Sequence, residues 1–472
     1  MKRAVLVMAV SAALAGCALA PRYAVPRVET PARYDGDWLP ATPADLQPRG
    51  EWWRVYGDPQ LDGLEHQLLR DSPELAVASA RYDEARALAT EASAGLFPTV
   101  GAAGLATTDR QSDNRPLRSA SQPARYRDYL FGLSASYEID LWGRVRSQAT
   151  AGRAFAAASQ ADVEAARLSL TTELASEYLA LAGVDAELRL LVDTVHAYEQ
   201  ALRLASARHD GGLASGLEVA RAQTQLQATA AQLTDVTSRR QLLSHAIARL
   251  VGAPASGFVI QPIATLPVVP AIPPGIPSTL AQRRPDIAAA ERRVALANAQ
   301  VGVARAAFFP KLTLSALAGY ESTAGDGLFA APNRLWAVGP SAALLLFDAG
   351  ARRAEVLRAR AALEESAGRY RGSVLGAFRE IEDSLSQLHL LADEQRQQGA
   401  ATDAARQALD LATQRYESGA VSYLDVVVAQ STALQTERGL LAIDVRRLSA
   451  SVQLIRGLGG SWTDADASLT SR

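Results

Sequence analysis

The sequence predicts a mainly α chain with a four-stranded β contribution, laid out as a two-fold internal repeat. Three observations predict it. Apolar residues recur every seven positions through long stretches without proline. Four short stretches alternate apolar and polar residues instead. The same series of motifs then returns about 210 residues downstream.

Residues 284–319 show the first two signals side by side. Ile287, Val294, Val301 and Phe308 lie seven apart, with Ala290, Ala297 and Ala304 three places after the first three. That is a heptad seam with alanine at its second core position, which lets helices pack closely. At Pro310 the period becomes two. Leu312, Leu314, Ala316, Ala318 and Tyr320 alternate with Lys311, Thr313, Ser315, Leu317 and Gly319, predicting a strand over 312–321. The first half carries the same design 212 residues earlier: Leu75, Tyr82, Ala89 and Leu96 on one seam, Ala78, Ala85 and Ala92 on the other, Pro73 for Pro285 and Phe97-Pro98 for Phe309-Pro310.

In chain order, residues 1–16 read as a signal peptide. Lys2 and Arg3 precede an apolar run over 4–14 that is too short for a membrane span. Leu14-Ala15-Gly16-Cys17 has the form of a bacterial lipobox, so cleavage before Cys17 and a covalent lipid on it (N-acyl plus diacylglycerol) are expected; an ordinary signal peptide with an incidental cysteine is the alternative. Cys17 is the only cysteine, so no intramolecular disulfide forms. Ala18 rather than an aspartate after it favours outer-membrane sorting. Residues 17–58 form a proline-rich tether ending in Glu51-Trp52-Trp53 and Tyr56-Gly57-Asp58-Pro59, where the adjacent tryptophans are read as packing.

Repeat 1 runs over 59–251, with a strand pair at about 98–140. Its strands are 99–107 and 129–139, separated by a polar loop over 109–127. A proline-rich connector covers 252–278. Repeat 2 covers 279–457, with its strand pair at about 310–347 and strands at 312–321 and 336–347; a loose tail follows at 458–472. Long helices follow both pairs. No proline lies between Pro123 and Pro254 or after Pro340, and Leu174, Leu181, Leu188, Val195 and Leu202 repeat every seven residues. A helix over 143–208 would run roughly 100 Å. Here the repeat holds with a shift of 207: Gly143 matches Gly350, and Arg208, Gly212, Ser215 and Leu217 match Arg415, Gly419, Ser422 and Leu424. The shift falls from 212 to 207 in the strand–loop–strand segment, where length changes are tolerated.

Each long helical hairpin turns at Asp210-Gly211-Gly212 or Glu417-Ser418-Gly419, with a glycine placed for a left-handed cap. Ser215 and Ser422 follow as N-caps, with Glu218 and Asp425 three residues on, the spacing of a capping box. Capping alone accounts for the serine–carboxylate pairs. Arg208, Asp210 and Tyr416 are placed for latch contacts between helices.

Composition excludes several functions. The 472 residues carry a formal net charge of −2, which argues against nucleic-acid binding. No apolar run of 18 residues follows the signal. His66, His196, His209, His245 and His389 are scattered without metal-ligand spacing, and no nucleophile-elbow, Walker or dinucleotide motif occurs, so no enzyme activity and no cofactor beyond the lipid are expected. Four strands with an apolar face cannot close a barrel, and in a bilayer their edges would cost roughly several kcal/mol per unsatisfied group. Strands that enter a membrane therefore require more than one chain. A small soluble sheet capping a helical bundle is the other arrangement.

The lipobox, EWW and YGDPQL, the duplicated alanine-rich helix ending in FFP, and the paired turns GLASGLEV and GAVSYLDV together resemble the TolC/OprM-type outer-membrane efflux lipoproteins over nearly the whole chain. The resemblance implies a homotrimer. Each subunit would give its strands to a transmembrane β-barrel completed by trimerisation and its helices to a long antiparallel α-helical barrel in the periplasm. It implies a passive duct in the cell outer membrane that exports small molecules with a periplasmic adaptor protein and an inner-membrane resistance–nodulation–division transporter. It places the periplasmic gate at Leu424, Asp425, Arg208, Asp210 and Tyr416, and adaptor contacts at Gly212, Ser215, Leu217, Glu218, Gly419 and Ser422. Asp425 aligns with a family aspartate ring, while a second family aspartate position is Val428 here. The competing functions are a protein-secretion duct and a periplasmic coiled-coil scaffold lipoprotein; the scaffold leaves the alternating strands unexplained.

Overall fold

The computed structural model describes residues 20–26, 50–115, 119, 121, 123–270, 272 and 284–460. The signal peptide, Cys17, most of the tether, part of the connector and the tail beyond 460 lie outside them. After a short 3-10 turn at Trp52–Tyr56, the elements are α1 (Pro59–Asp71), α2 (Pro73–Ala94), β1 (Thr99–Arg110), β2 (Arg125–Glu138), α3 (Arg144–Asp210), α4 (Gly216–Leu250), α5 (Pro285–Ala306), β3 (Lys311–Ser322), β4 (Arg334–Ala343), α6 (Ala351–Glu417) and α7 (Tyr423–Gly457). The repeat is visible in the lengths. α2 and α5 both have 22 residues, α3 and α6 both 67, α4 and α7 both 35.

Two compact units form, and neither is a repeat. One takes residues 81–160 and 289–371 with the N-terminal segment; the other takes 28–80, 161–288 and 372–472. Each therefore draws on both halves of the sequence.

The first unit holds one antiparallel sheet in the order β1-β2-β3-β4. β2 and β3 join the two repeats, with Gly132 directly opposite Gly319. A Cβ added to Gly319 would lie 2.3 Å from the Phe131 carbonyl oxygen and 2.7 Å from Gly132 Cα. Only glycine fits this crossing. Residues directly opposite each other share a face, so the register sorts the side chains. Val100, Ala135, Ala316 and Val338 align across all four strands, as do Ala102, Leu133, Ala318 and Trp336. The other face aligns Thr99, Ser136, Ser315 and Gly339, then Gly101, Ser134, Leu317 and Ala337. One face is apolar and the other is mostly small and polar. Trp336 and Val100 on the apolar face are 77% and 74% exposed, and neither β1 nor β4 has an outer partner strand among the described residues.

Strand boundaries differ from the sequence reading at both ends of the first hairpin loop and at the end of β4. β1 and β2 run into the predicted polar loop, ending at Arg110 and starting at Arg125, because polar strand ends are compatible with continued pairing. β4 stops at Ala343 instead of 347. Its last partner is Lys311, and the preceding Pro310 has no N–H to extend the ladder. On α5 the seam is buried at Ile287, Val294 and Val301, while Phe308, beyond the helix end, is 46% exposed. On α2 the seam is half open: Ala85 and Ala89 are buried, but Leu75, Tyr82 and Leu96 are only partly covered. In the same unit the segment 20–26 lies along α5. Asn298 Nδ2 donates to the Pro21 carbonyl at 2.9 Å, and the Tyr23 hydroxyl donates to the Glu291 carboxylate.

The second unit has its core around Trp52, Trp53, Tyr56, Leu61, Leu68, Tyr178, Ile247, Leu448 and Ile455. The two sequence motifs there explain themselves. Asp58 caps α1, accepting from Gln60 N at 2.8 Å, and also accepts from the Tyr178 hydroxyl at 2.6 Å. Trp52 Nε1 donates to Thr171 Oγ1 at 3.3 Å, and the Tyr56 and Ser451 hydroxyls meet at 2.7 Å. Arg284, 6% exposed, binds Asp286 (2.8 Å) and Glu380 (2.6 Å) where α5 begins.

Candidate functional site

Both long hairpins turn with the same backbone. α3 ends at Asp210, and Gly212 takes φ +74°; α6 ends at Glu417, and Gly419 takes φ +78°. These are left-handed values that favour glycine. The next residue folds back in each case: Leu213 N donates to the Arg208 carbonyl and Ala420 N to the Arg415 carbonyl, both at 2.7 Å. This is the Schellman closure of a helix.

Beyond the turns the repeats diverge. The capping box forms at Ser422, whose backbone N–H and hydroxyl both donate to the Asp425 carboxylate, at 3.1 and 2.9 Å. The matching box at Ser215 does not form; Ser215 makes no side-chain cap bond. Glu218 is used elsewhere, accepting from the Tyr416 hydroxyl at 3.3 Å. A glutamate is one methylene longer than an aspartate and reaches the other hairpin. The Ser215 turn is tied instead by His209 Nδ1 to the Ala214 carbonyl at 2.9 Å.

Arg208 completes the link between hairpins. Its two terminal nitrogens donate to the carbonyls of Tyr416 and Glu417, each at 2.8 Å, and its guanidinium sits 4.5 Å above the Tyr416 ring. Both carbonyls lie in the last turn of α6, where intrahelical donors run out, and that of Tyr416 also accepts from Gly419 N at 2.9 Å; the cation thus answers both the helix end and the ring quadrupole. Tyr416 and Tyr423 are buried, their rings 5.3 Å apart, against Ala205, Ala222 and Val426. Burial pushes the Tyr423 phenol up to about 12 and raises Tyr416 as well, so both stay neutral at ordinary pH.

Of the predicted latch residues, Arg208 and Tyr416 meet, and Asp210 does not. It is exposed and makes no hydrogen bond or ion pair among the described residues. Leu217, Leu424 and Val428 are exposed at 58%, 45% and 58%, and Asp425 is exposed beside Leu424. Sequence reasoning missed Tyr423 and His209. The signal for Tyr423 was present: it stands seven residues after Tyr416, immediately past the cap, where α7 must begin with a buried residue.

Farther along the hairpins, Glu187 on α3 accepts from Arg239 on α4 at 2.9 Å and from Arg438 on α7 at 2.5 Å. Arg406 of α6 reaches Glu437 of α7 at 2.5 Å. Among the described residues no cluster of metal-ligating side chains occurs, and no helix is long and apolar enough to cross a membrane.

The family model described as outer membrane efflux protein matches the chain twice, over residues 64–253 and 276–460. The chain belongs to the outer membrane efflux protein family. The two matches fall on the two repeats. Among curated proteins, the pyoverdine export outer membrane protein OpmQ of Pseudomonas aeruginosa is 34% identical over 440 residues, 90% of each chain. Outer membrane protein OprJ of the same organism is 30% identical over 462 residues, 97% of this chain and 96% of that one. Among solved structures, the outer-membrane channel OprN superposes with a TM-score of 0.86 at 30% identity, covering 94% of this chain and 100% of that one. Outer membrane protein VceC of Vibrio cholerae gives 0.83 at 31% identity, covering 88% and 100%. As a member of the efflux family, the chain is an outer-membrane protein with a long periplasmic portion, and it is the outer-membrane component of an efflux system.

Proposed function

We propose that the chain is the passive duct of a tripartite efflux system, assembled as a homotrimer and carrying small organic molecules outward. The observation that carries the reading is the open sheet. One face is apolar, the other mostly small and polar, and neither edge has a partner strand among the described residues. Eight strands is about the smallest transmembrane barrel, so four strands demand further copies, and an apolar outside with a polar inside is the pattern of a lipid-facing wall around a wet lumen. Relatives named for export of pyoverdine and of toluene support small organic cargo.

The partners in this reading are a periplasmic adaptor and an inner-membrane resistance–nodulation–division transporter, which supplies the energy. The hairpin turns form the periplasmic gate. The Arg208–Tyr416–Glu218 contacts hold the two hairpins together, and Leu217, Leu424 and Val428 leave apolar surface for the adaptor or for the other copies. A lipid on Cys17 and the barrel would anchor the protein independently.

The test is assembly together with conductance. Purified protein in detergent should scatter light as a trimer and give small, rare openings in a planar bilayer. Arg208→Ala should raise the mean conductance several-fold by freeing the α6 end. A monodisperse monomer whose strands remain protease-protected in membranes would sink the barrel, and unchanged conductance in Arg208→Ala would remove the latch from the gate.

A further inference from the structure

The far end of the sheet, away from the helices, carries an unexplained row of cations. In the last register pair of β1 and β2, Arg110 lies directly opposite Arg125, and Arg127 pairs with Thr108 one step inward on the same face. Two like charges directly opposite across a ladder repel. The acidic residues nearby do not relieve this. Asp109, Asp128 and Glu321 fall on the opposite parity and hence on the other, polar face. Thr107 Oγ1 donates to Asp109 Oδ2 there at 2.5 Å. Among the described residues only Asp113 approaches, 3.7 Å from Arg110 and itself 68% exposed. Arg125 and Arg127 are exposed and make no ion pair among the described residues.

The face that carries these arginines is the apolar one. Next inward stand Tyr129 and Phe131, and Phe329 packs edge-on against Phe131 and Tyr320, with ring centroids 5.6 and 5.4 Å apart. Aromatic residues in such a band mark the boundary between hydrocarbon and headgroups. An arginine pointing toward lipid is costly at mid-membrane and nearly free at the interface. Sorting the strand arginines of this rim to the lipid side and the strand acids to the lumen side does not serve solubility, which either face would satisfy. It creates a patch that needs an anion.

We propose that Arg110, Arg125 and Arg127 bind the phosphate groups of an anionic lipid in the outer leaflet, with its acyl chains lying over Tyr129, Phe131 and Leu133. Facing residues on neighbouring strands stand about 5 Å apart, and alternate residues on one strand roughly 7 Å apart. The three guanidinium groups thus span a phosphorylated sugar headgroup, and each presents the planar fork that matches a phosphate. This inference rests on the proposed barrel, with the apolar face of the sheet toward lipid, and not on the gate.

Native mass spectrometry of the whole detergent-solubilised assembly tests it, with bisphosphorylated lipid A and its monophosphorylated form as probes. Wild type should retain the bisphosphorylated lipid at least five-fold more than the monophosphorylated one, in phosphate buffer that competes for any site reading free phosphate. R110Q/R125Q/R127Q should lose that preference with the assembly intact. D109N/D128N, on the other face, should keep it. If the triple variant does not assemble, R125Q/R127Q replaces it, with a loss of at least three-fold expected. Equal retention of the two lipids by wild type, or unchanged retention by the arginine variants, would overturn the proposal and leave the row as solvated charge.

Discussion

Glu65 on α1 has no exposed surface, and neither carboxylate oxygen has a hydrogen-bond partner among the described residues. Burial raises its acid well above the usual carboxylate range, and the nearby Asp62 raises it further. In the unfolded chain the same group ionises near 4.5. Above that pH the folded protein holds a proton that the unfolded chain has released, so stability is greatest at low pH and falls as pH rises toward the folded value. The slope is at most about 1.4 kcal/mol per pH unit. Glu65→Gln keeps the neutral shape and removes the slope. Its melting temperature should match wild type near pH 4.5 and exceed it increasingly toward pH 8; parallel melting curves would mean that Glu65 has a partner for its charge. Nothing in the sequence marks Glu65. It stands in an ordinary amphipathic helix, and only the packing of Trp52, Trp53 and Leu61 in the same core shows that its side of α1 is closed. The reading of Cys17, by contrast, rests on the sequence alone, since the residue lies outside the described ones.

Among elements, strands and helices were legible to different depths. The long helices were read nearly to the residue, because proline and glycine end them and a constant shift of 207 aligns their ends. Strand ends were read less well. Alternation fades where both parities are polar, so 109–110 and 125–127 looked like loop, while the apolar run 344–347 looked like strand although no partner residue remains for it. The capping box at Ser215 was misread because spacing alone cannot tell a local carboxylate from one that reaches another helix. The Gly132–Gly319 crossing was invisible beforehand, since it depends on register. It makes a sharp prediction. Gly319→Ala must push β2 from β3 or twist the pair, at a cost of about 1–3 kcal/mol, and among the described residues these two strands are the sole ladder between the repeats. Gly339→Ala, with nothing within 4 Å of the added methyl, is the control. Heat-resistant oligomer on gels should fall for Gly319→Ala and stay at wild-type level for Gly339→Ala; equal yields would show that the sheet relaxes at the crossing.

For the whole molecule, the duplication is what sequence revealed and what the structure then divides differently. Each repeat supplies a strand pair to one unit and a hairpin to the other, so the halves of the chain are intertwined rather than adjacent. The repeats differ in chemistry where function is expected. Glu218 is drawn to Tyr416, while its counterpart Asp425 stays exposed at the start of α7, where it accepts from Ser422. In a trimer the copies of Asp425 would stand around the axis at the periplasmic mouth, and several carboxylates in a narrow opening focus a negative potential that concentrates cations. The prediction is a cation-selective duct whose selectivity, and whose block by divalent cations, fall in Asp425→Asn. Capping alone predicts a different result. Asparagine weakens the box at Ser422 by at most about 1 kcal/mol, which would alter stability or open time without changing which ion is preferred. Reversal potentials across a salt gradient separate the two, because they read ion preference and are indifferent to how often the channel opens. A reversal potential unchanged by Asp425→Asn would confine the residue to its cap, and a shift toward zero would place its charge in the conducting path.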